Sequence, residues 1–199
     1  MNNGKLIVFS APSGGGKSTI IRMVMEKFPN LKYSVSATTR EKRGNEVHGV
    51  SYYFLTRNEF ENRIEEDDFI EYKTVYDNLY GTPKSAIKEA ISNGDNIVLD
   101  IDVQGAKAVK NCMGESSLFI FITPPDLDTL RSRLILRNED KPEIIEKRLQ
   151  FAKNEISQSD WYDYIVVNDK LDRAVDEIID ILIKENIITY EGIDGRKKI

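Results

Sequence analysis

The sequence predicts an α/β fold, a parallel sheet flanked by helices, carrying a small mixed β lobe and a helical lid. Three observations predict it. Four short apolar runs, Leu6 to Phe9, Ile97 to Leu99, Leu118 to Ile122 and Tyr164 to Val167, lack alternation and are rich in β-branched residues. Strands buried on both faces of a parallel sheet read this way. Helical spacing follows or separates these runs, as in Leu171, Ala174, Val175, Ile178 and Leu182. The stretch from about Tyr33 to Thr82 has a different character, with strand-like Tyr52 to Leu55 and Phe69 to Val75.

Each element has a local reason. Ile20 to Phe28 continues helically after a glycine-rich turn, and Leu127 to Leu136 reads as a helix entered through Pro124-Pro125-Asp126, with proline suiting the first helical position. Thr56-Arg57-Asn58-Glu59 is a capping box opening a short helix. Asp77 to Gly81 has turn composition, and Asn138 to Pro142 interrupts a helical pattern as the tip of a lid would. The residues from Glu191 to Ile199 are polar and expected to fray.

With 199 residues, 40% of them hydrophobic, the chain can bury one core with small appended lobes. Its net charge of −5 argues against nucleic acid and anionic membranes as partners, so any phosphate site must be local. Cys112 is the single cysteine, which excludes an internal disulfide and suits a reducing cytoplasm. The N-terminal residues carry no signal-peptide pattern, and no apolar stretch approaches the roughly 20 residues of a membrane span.

The strongest motif is Ser10-Ala11-Pro12-Ser13-Gly14-Gly15-Gly16-Lys17-Ser18-Thr19, set between a strand and a helix. It meets the G-x-x-x-x-G-K-[ST] phosphate-loop template at Gly16, Lys17 and Ser18, with Ala11 in place of the first glycine. Glycines let successive N–H groups turn inward around anionic oxygens, and the helix start adds its positive dipole end. Residues 11 to 19 are therefore the expected ATP-phosphate cradle of a P-loop NTPase-type sheet. Lys17 would reach the β- and γ-phosphates and Ser18 would bind Mg²⁺. The bland alternative is a glycine-rich turn. Ile97-Val98-Leu99-Asp100 ends an apolar strand in a carboxylate, the form of a Walker B element. Asp100 would hold the metal with Ser18, and Asp102 would share its side if the chain stays extended. A GTPase N-K-x-D element is absent, and His48 is the only histidine, which excludes a histidine metal cluster.

Ser34 to Arg40, Arg43-Gly44, Glu46 to Gly49 and Tyr52 resemble the GMP-binding segment of guanylate kinases. Phe69 to Tyr72, Tyr80-Gly81-Thr82, Leu99 to Gly105 and Ile165 to Asp169 continue that resemblance in order, over about residues 4 to 185. It implies ATP-dependent phosphorylation of GMP, and of dGMP, to the diphosphate in purine nucleotide metabolism. It implies a core at about 4–32, 83–125 and 160–185, a GMP lobe at 33–82, a lid at 126–159 and a tail from 186. Arg40 and Arg43 would clamp the GMP phosphate, with Tyr52 and Tyr80 donating hydroxyls; without the resemblance, two arginines in a polar loop are a solvated face. Glu71 would read guanine, whose N1–H and N2–H₂ both donate to a carboxylate, whereas adenine presents an acceptor there. Ser36, Thr82 and Asp102 would complete the pocket, and Thr82 equally suits an N-cap of the following helix.

Arg133 and Arg137, one helical turn apart, and Arg148 resemble the lid arginines that close on ATP. The family commonly has glycine after the second of these, where this chain has Asn138. Asn168 lies where the family contacts adenine. The catalytic set is then Lys17, Arg40, Arg133, Arg137 and Arg148, acting by direct in-line transfer. Partners are ATP with Mg²⁺ and GMP, and a homo-oligomer stays open. Two rival readings are a phosphopeptide-binding scaffold domain of the same fold, which the intact Lys17 and Ser18 oppose, and a kinase for another nucleoside monophosphate.

Overall fold

The computed structural model describes residues 4–75, 77–114, 117–137 and 141–189. The main sheet has five strands, all parallel: β1 (Leu6–Ser10), β2 (Leu31–Tyr33), β7 (Asn96–Asp100), β8 (Ser117–Thr123) and β9 (Tyr164–Val167), in the order β2-β7-β1-β8-β9. The four apolar runs are therefore strands, and the three-residue β2 is the one that periodicity did not reveal. Alternate residues of the central strands feed two cores. Ile7, Phe9, Val98 and Ile120 pack with α1 (Lys17–Lys27) and α7 (Leu171–Lys184) on one face. Leu6, Val8, Leu99 and Phe121 pack with α3 (Lys84–Ser92) and α4 (Val103–Met113) on the other. Burial on both faces is why these strands read as continuous apolar runs.

A second sheet holds β3 (Ala37–Thr38), β4 (Tyr53–Phe54), β5 (Phe69–Val75) and β6 (Asn78–Pro83) in the order β4-β3-β6-β5, with parallel and antiparallel pairs. It has its own small core of Ala37, Phe60, Phe69 and Leu79. Phe60 comes from α2 (Arg57–Glu65), whose N-cap Thr56 and Glu59 form the expected reciprocal capping box. The turn composition of Asp77 to Gly81 misled: Asp77 alone keeps turn backbone, at φ 66, and Asn78 onward is strand. Pairing across the β5–β6 hairpin outweighs the weak strand propensity of Asn78 and Gly81.

Helices α5 (Leu127–Arg137) and α6 (Pro142–Ile156) form a hairpin around Leu130, Leu134, Ile145, Leu149 and Ala152. Arg131 and Glu146 join them by a two-pronged ion pair. The proline pair does not open α5. Asp126 does, accepting the Thr129 N–H at 2.6 Å while its carbonyl takes the Leu130 N–H, because a carboxylate satisfies a free helix-end donor and proline cannot. Thr82 is likewise no N-cap: that position is Pro83, and Asp68 from the neighbouring strand end supplies the cap by accepting the Ser85 N–H at 2.8 Å. Ile187 and Ile188, which a boundary at 185 leaves in the tail, are buried in the α7 core. The expected lid tip at Asn138 to Asp140, and the expected fraying from Glu191 onward, lie outside the described residues.

One irregularity positions the site. The β5–β6 register shifts between Phe69 and Tyr72, placing two residues of β5, Ile70 and Glu71, against one of β6. Such a bulge re-aims side chains. Phe69 enters the core of the second sheet and Ile70 enters the α3–α4 core. Gly81 faces this bend, and a Cβ there would lie 2.8 Å from Phe69 Cδ1, 3.0 Å from the Glu71 carbonyl oxygen and 3.1 Å from Phe60 Cζ. Gly81→Ala is therefore expected to destabilise the chain by about 1–3 kcal/mol through overpacking. Denaturant unfolding measures it, and a wild-type midpoint would show that the bend is not crowded.

Candidate active site

The site lies at the carboxyl edge of the parallel sheet, where ligands of open α/β sheets bind. Ser10, Asp100, Thr123 and Asn168 all end or follow strands on that edge. Residues 11 to 16 turn from β1 into α1. Ala11 is buried, and its φ is not among the positive values, so the missing glycine costs no strain there. The Gly15 N–H donates to the Pro12 carbonyl at 2.8 Å. Gly14 and Gly16 have φ of 90 and 93, values that L side chains rarely adopt. The loop is braced from the helical hairpin: a Cβ at Gly14 would come 3.0 Å from both Leu130 Cδ1 and Leu134 Cδ2, and Arg148 donates to Ser13 Oγ at 3.2 Å. Gly16 is the N-cap of α1, and Ser18 and Thr19 are exposed in its first turn.

Lys17 reaches across to the end of β7, pairing with Asp100 and donating to the Ile101 carbonyl at 3.2 Å. Asp102 takes a different place from Asp100. It is the N-cap of α4, accepting the Gly105 N–H at 2.8 Å, and its charge acts on Glu71, Glu155 and Tyr162. Glu71 reaches α4 from the β5 bend, since a Cβ at Gly105 would sit 3.3 Å from its Oε2. Burial, and then the Asp102 charge, push the Glu71 carboxyl above the usual carboxylate value, opposed by Lys73 and Lys17. Burial and Asp102 do the same to Glu155 on α6, again opposed by Lys17.

Arg40, Arg43, Tyr52 and Tyr80 form a second cluster. Arg40 forks onto Glu46 at 2.7 and 3.0 Å and donates to the Glu41 carbonyl at 2.7 Å. Its guanidinium lies 5.5 Å from the Tyr52 ring centre and meets the Tyr80 hydroxyl, and the Tyr52 and Tyr80 rings stand edge to face at 6.1 Å. The Arg43 N–H donates to Glu46 at 2.8 Å. Hydrogen bonds from Arg40 and then Arg43 hold the Glu46 carboxyl below its ordinary pKa. Ser36 lies between β2 and β3, its carbonyl taking the Tyr53 N–H at 2.9 Å, and Thr82 is buried in β6.

Arg133 donates to the Asn168 carbonyl at 2.7 Å, and its other terminal nitrogen is buried without a partner among the described residues. The side chain of Arg137 lies outside the described residues. Asn168 is only 4% exposed, and its side-chain amide donates to the Gly15 carbonyl at 2.8 Å.

Sequence reasoning missed Glu155 and the role of Glu46. Glu155 follows Arg148 by two helical turns and so shares its face, a spacing legible only once α6 is known to cover the loop. It also missed Ser10 and Tyr162, two buried hydroxyls close enough for Ser10 to stabilise the Tyr162 phenolate against burial. Burial pushes the Tyr162 hydroxyl up to about 12, which keeps it a neutral donor.

The family model described as Guanylate kinase matches residues 3–185. The guanylate kinase of Carboxydothermus hydrogenoformans is 48% identical over 187 residues, 94% of this chain and 91% of that one. That of Clostridium perfringens is 47% identical over 92% of this chain and 85% of its own. A crystal structure of guanylate kinase from Anaplasma phagocytophilum superimposes with a TM-score of 0.66 at 34% identity, covering 95% of this chain and 89% of that chain. A glycine-rich loop ending in Lys17 and Ser18 at the edge of the parallel sheet, together with these matches, places the chain in the guanylate kinase family, ATP-dependent kinases that convert GMP to GDP.

Proposed function

We propose that the chain transfers the γ-phosphoryl of ATP directly, in line, to a phosphate oxygen of GMP, and of dGMP, with residues 11 to 19 cradling ATP. The convergence on Lys17 carries this reading. Its ammonium sits at the phosphate loop, is held at Asp100 and Ile101, and its charge reaches Glu71 and Glu155. A cation with that reach suits charge spread over a phosphoryl moving between two nucleotides. Arg40 and Arg43 hold the attacking phosphate and offset its repulsion from ATP. Arg133, Arg137 and Arg148 close from the α5–α6 hairpin. No general base is needed, because the GMP phosphate is already ionised near neutral pH.

Glu71 reads the guanine edge, with Ser36, Thr82 and Asp102 around it. Ser18 and Asp100 offer one hydroxyl and one carboxylate, hard oxygen donors that fit Mg²⁺. Among the described residues no group of three or more His, Cys, Asp or Glu could hold a metal alone, so nucleotide oxygens and water would complete its shell. The ion would bridge and neutralise phosphate oxygens. We place residues 33–82 as the GMP lobe and 126–159 as the lid, whose closure excludes water. Among the described residues no helix is long and apolar enough to cross a membrane, and a reducing cytoplasm suits the single Cys112, which is exposed.

The primary test is ADP release with GMP, AMP and UMP as acceptors; equal turnover of all three would sink the role of Glu71. Lys17→Ala is expected to lower kcat on the order of a thousandfold. It also strands Asp100, so the double variant Lys17→Ala/Asp100→Ala should recover melting temperature without recovering turnover. A single variant with wild-type kcat would refute the role of Lys17.

Glu71→Gln replaces an acceptor with an amide and should cut kcat/KM for GMP by about a hundredfold. Its stability should hold or rise at pH 7. Because the folded-state pKa of Glu71 is raised, the contribution of that carboxyl to stability is full below the ordinary carboxylate value and is lost as pH rises through the raised one. Gln removes that loss. GMP affinity of the parent should weaken on the acid side as Glu71 protonates, beyond the limb set by the phosphate, and Glu71→Gln should show the phosphate limb alone. Matching acid limbs would count against Glu71 as the reader.

A further inference from the structure

Asn168 follows β9, and its backbone N–H donates to the Thr123 carbonyl at 2.8 Å, which ties it to the sheet edge. From that anchor it makes two further bonds. Its Nδ2 donates to the Gly15 carbonyl at 2.8 Å, and its own carbonyl accepts Arg133 Nη2 at 2.7 Å. A carbonyl oxygen can only accept, so the NH₂ end of the amide must face the loop. The fit is close: a Cβ on Gly16 would fall 2.3 Å from Asn168 Nδ2.

There are no cis peptides in the chain as described. In a trans peptide the C=O and the next N–H point to opposite sides of one plane. Drawing the Gly15 carbonyl onto Asn168 therefore turns the Gly16 N–H away from Asn168, toward the anion side of the loop. Without that bond a glycine pair is free to rotate, and an inward carbonyl dipole would repel phosphate. At its other end, Asn168 holds a guanidinium whose Nη1 is buried with no partner among the described residues. An already desolvated, charged donor gains most from meeting an anionic oxygen.

We propose that Asn168 is a positioning residue for the polyphosphate of the donor nucleotide, aligning the Gly15–Gly16 peptide with its side chain and Arg133 with its carbonyl. This rests on the reading of residues 11 to 19 as the ATP-phosphate cradle. The side-chain half is open to substitution. Calorimetric titration of the full chain with Mg²⁺ and inorganic tripolyphosphate, with ATP, and with adenosine separates phosphate from base.

Asn168→Ala is expected to weaken tripolyphosphate and ATP alike by about tenfold, with adenosine unchanged. The isosteric Asn168→Asp, which sets a carboxylate against the Gly15 carbonyl, should weaken both further. KM for ATP should rise and kcat fall, with KM for GMP held. In the unaltered chain the Gly16 amide proton should move downfield on adding tripolyphosphate, a readout that needs no variant to fold. Loss of ATP and adenosine together with tripolyphosphate unchanged would make Asn168 a base contact and overturn the proposal. A lower melting temperature with all affinities kept would make it a structural brace, which also overturns it. An unmoved Gly16 resonance on saturation does the same. If the unaltered chain does not bind tripolyphosphate at all, the cradle reading itself fails, which the other outcomes do not imply.

Discussion

The ammonium of Lys17 is the charge on which the site depends. Asp100, Asp102, Glu71 and Glu155 all come close to it, in a chain of net charge −5. At an effective dielectric near 20, unit charges about 4 Å apart interact by about 4 kcal/mol. Lys17 spends that interaction on Asp100, its direct partner. What remains lowers the pKa of Glu71 and Glu155 less than burial and Asp102 raise it. A carboxylate held high in pKa is poorly solvated, and so gains from any hydrogen-bond donor brought to it.

The same electrostatics suit a chain whose arginines stand on separately cored pieces. The phosphate loop belongs to the parallel sheet, Arg40 and Arg43 follow the second sheet, and Arg133 and Arg148 belong to the α5–α6 hairpin. Packed permanently together, these cations would repel one another. On units with their own cores, each has an internal partner. Glu46 serves Arg40, the Asn168 carbonyl serves Arg133, and Ser13 serves Arg148.

Much of this was legible in the sequence, for physical reasons that differ by element. The parallel strands announced themselves because burial on both faces leaves no polar positions in Leu6 to Phe9 or Leu118 to Ile122. The capping box at Thr56 was readable because its bonds span three residues. The phosphate loop was readable because glycines, lysine and serine must be consecutive. What escaped depends on distant partners. β6 hides behind turn-forming residues and exists because β3 and β5 flank it. The cap on α3 comes from Asp68, which lies outside the helix and was indistinguishable from other surface carboxylates. Asn168 could be placed near nucleotide only by resemblance and Glu155 was not placed at all, because Asn168 is bonded to Gly15, 153 positions away, and Glu155 feels Asp102 and Lys17, 53 and 138 positions away. Such separations leave no local pattern.

Glu46 shows how one carboxylate fixes an arginine in place. Its carboxylate takes two donors of the Arg40 guanidinium and the Arg43 N–H, the kind of bonds a phosphate oxygen would accept. Arginine has five N–H donors, and Glu46 with the Glu41 carbonyl engages three of those bonds. The guanidinium is therefore fixed in plane and direction, flanked by the Tyr52 and Phe54 rings and bonded in addition to Tyr80. Fixing a long side chain beforehand removes the rotamer entropy that binding would otherwise cost, about 2 kcal/mol for arginine.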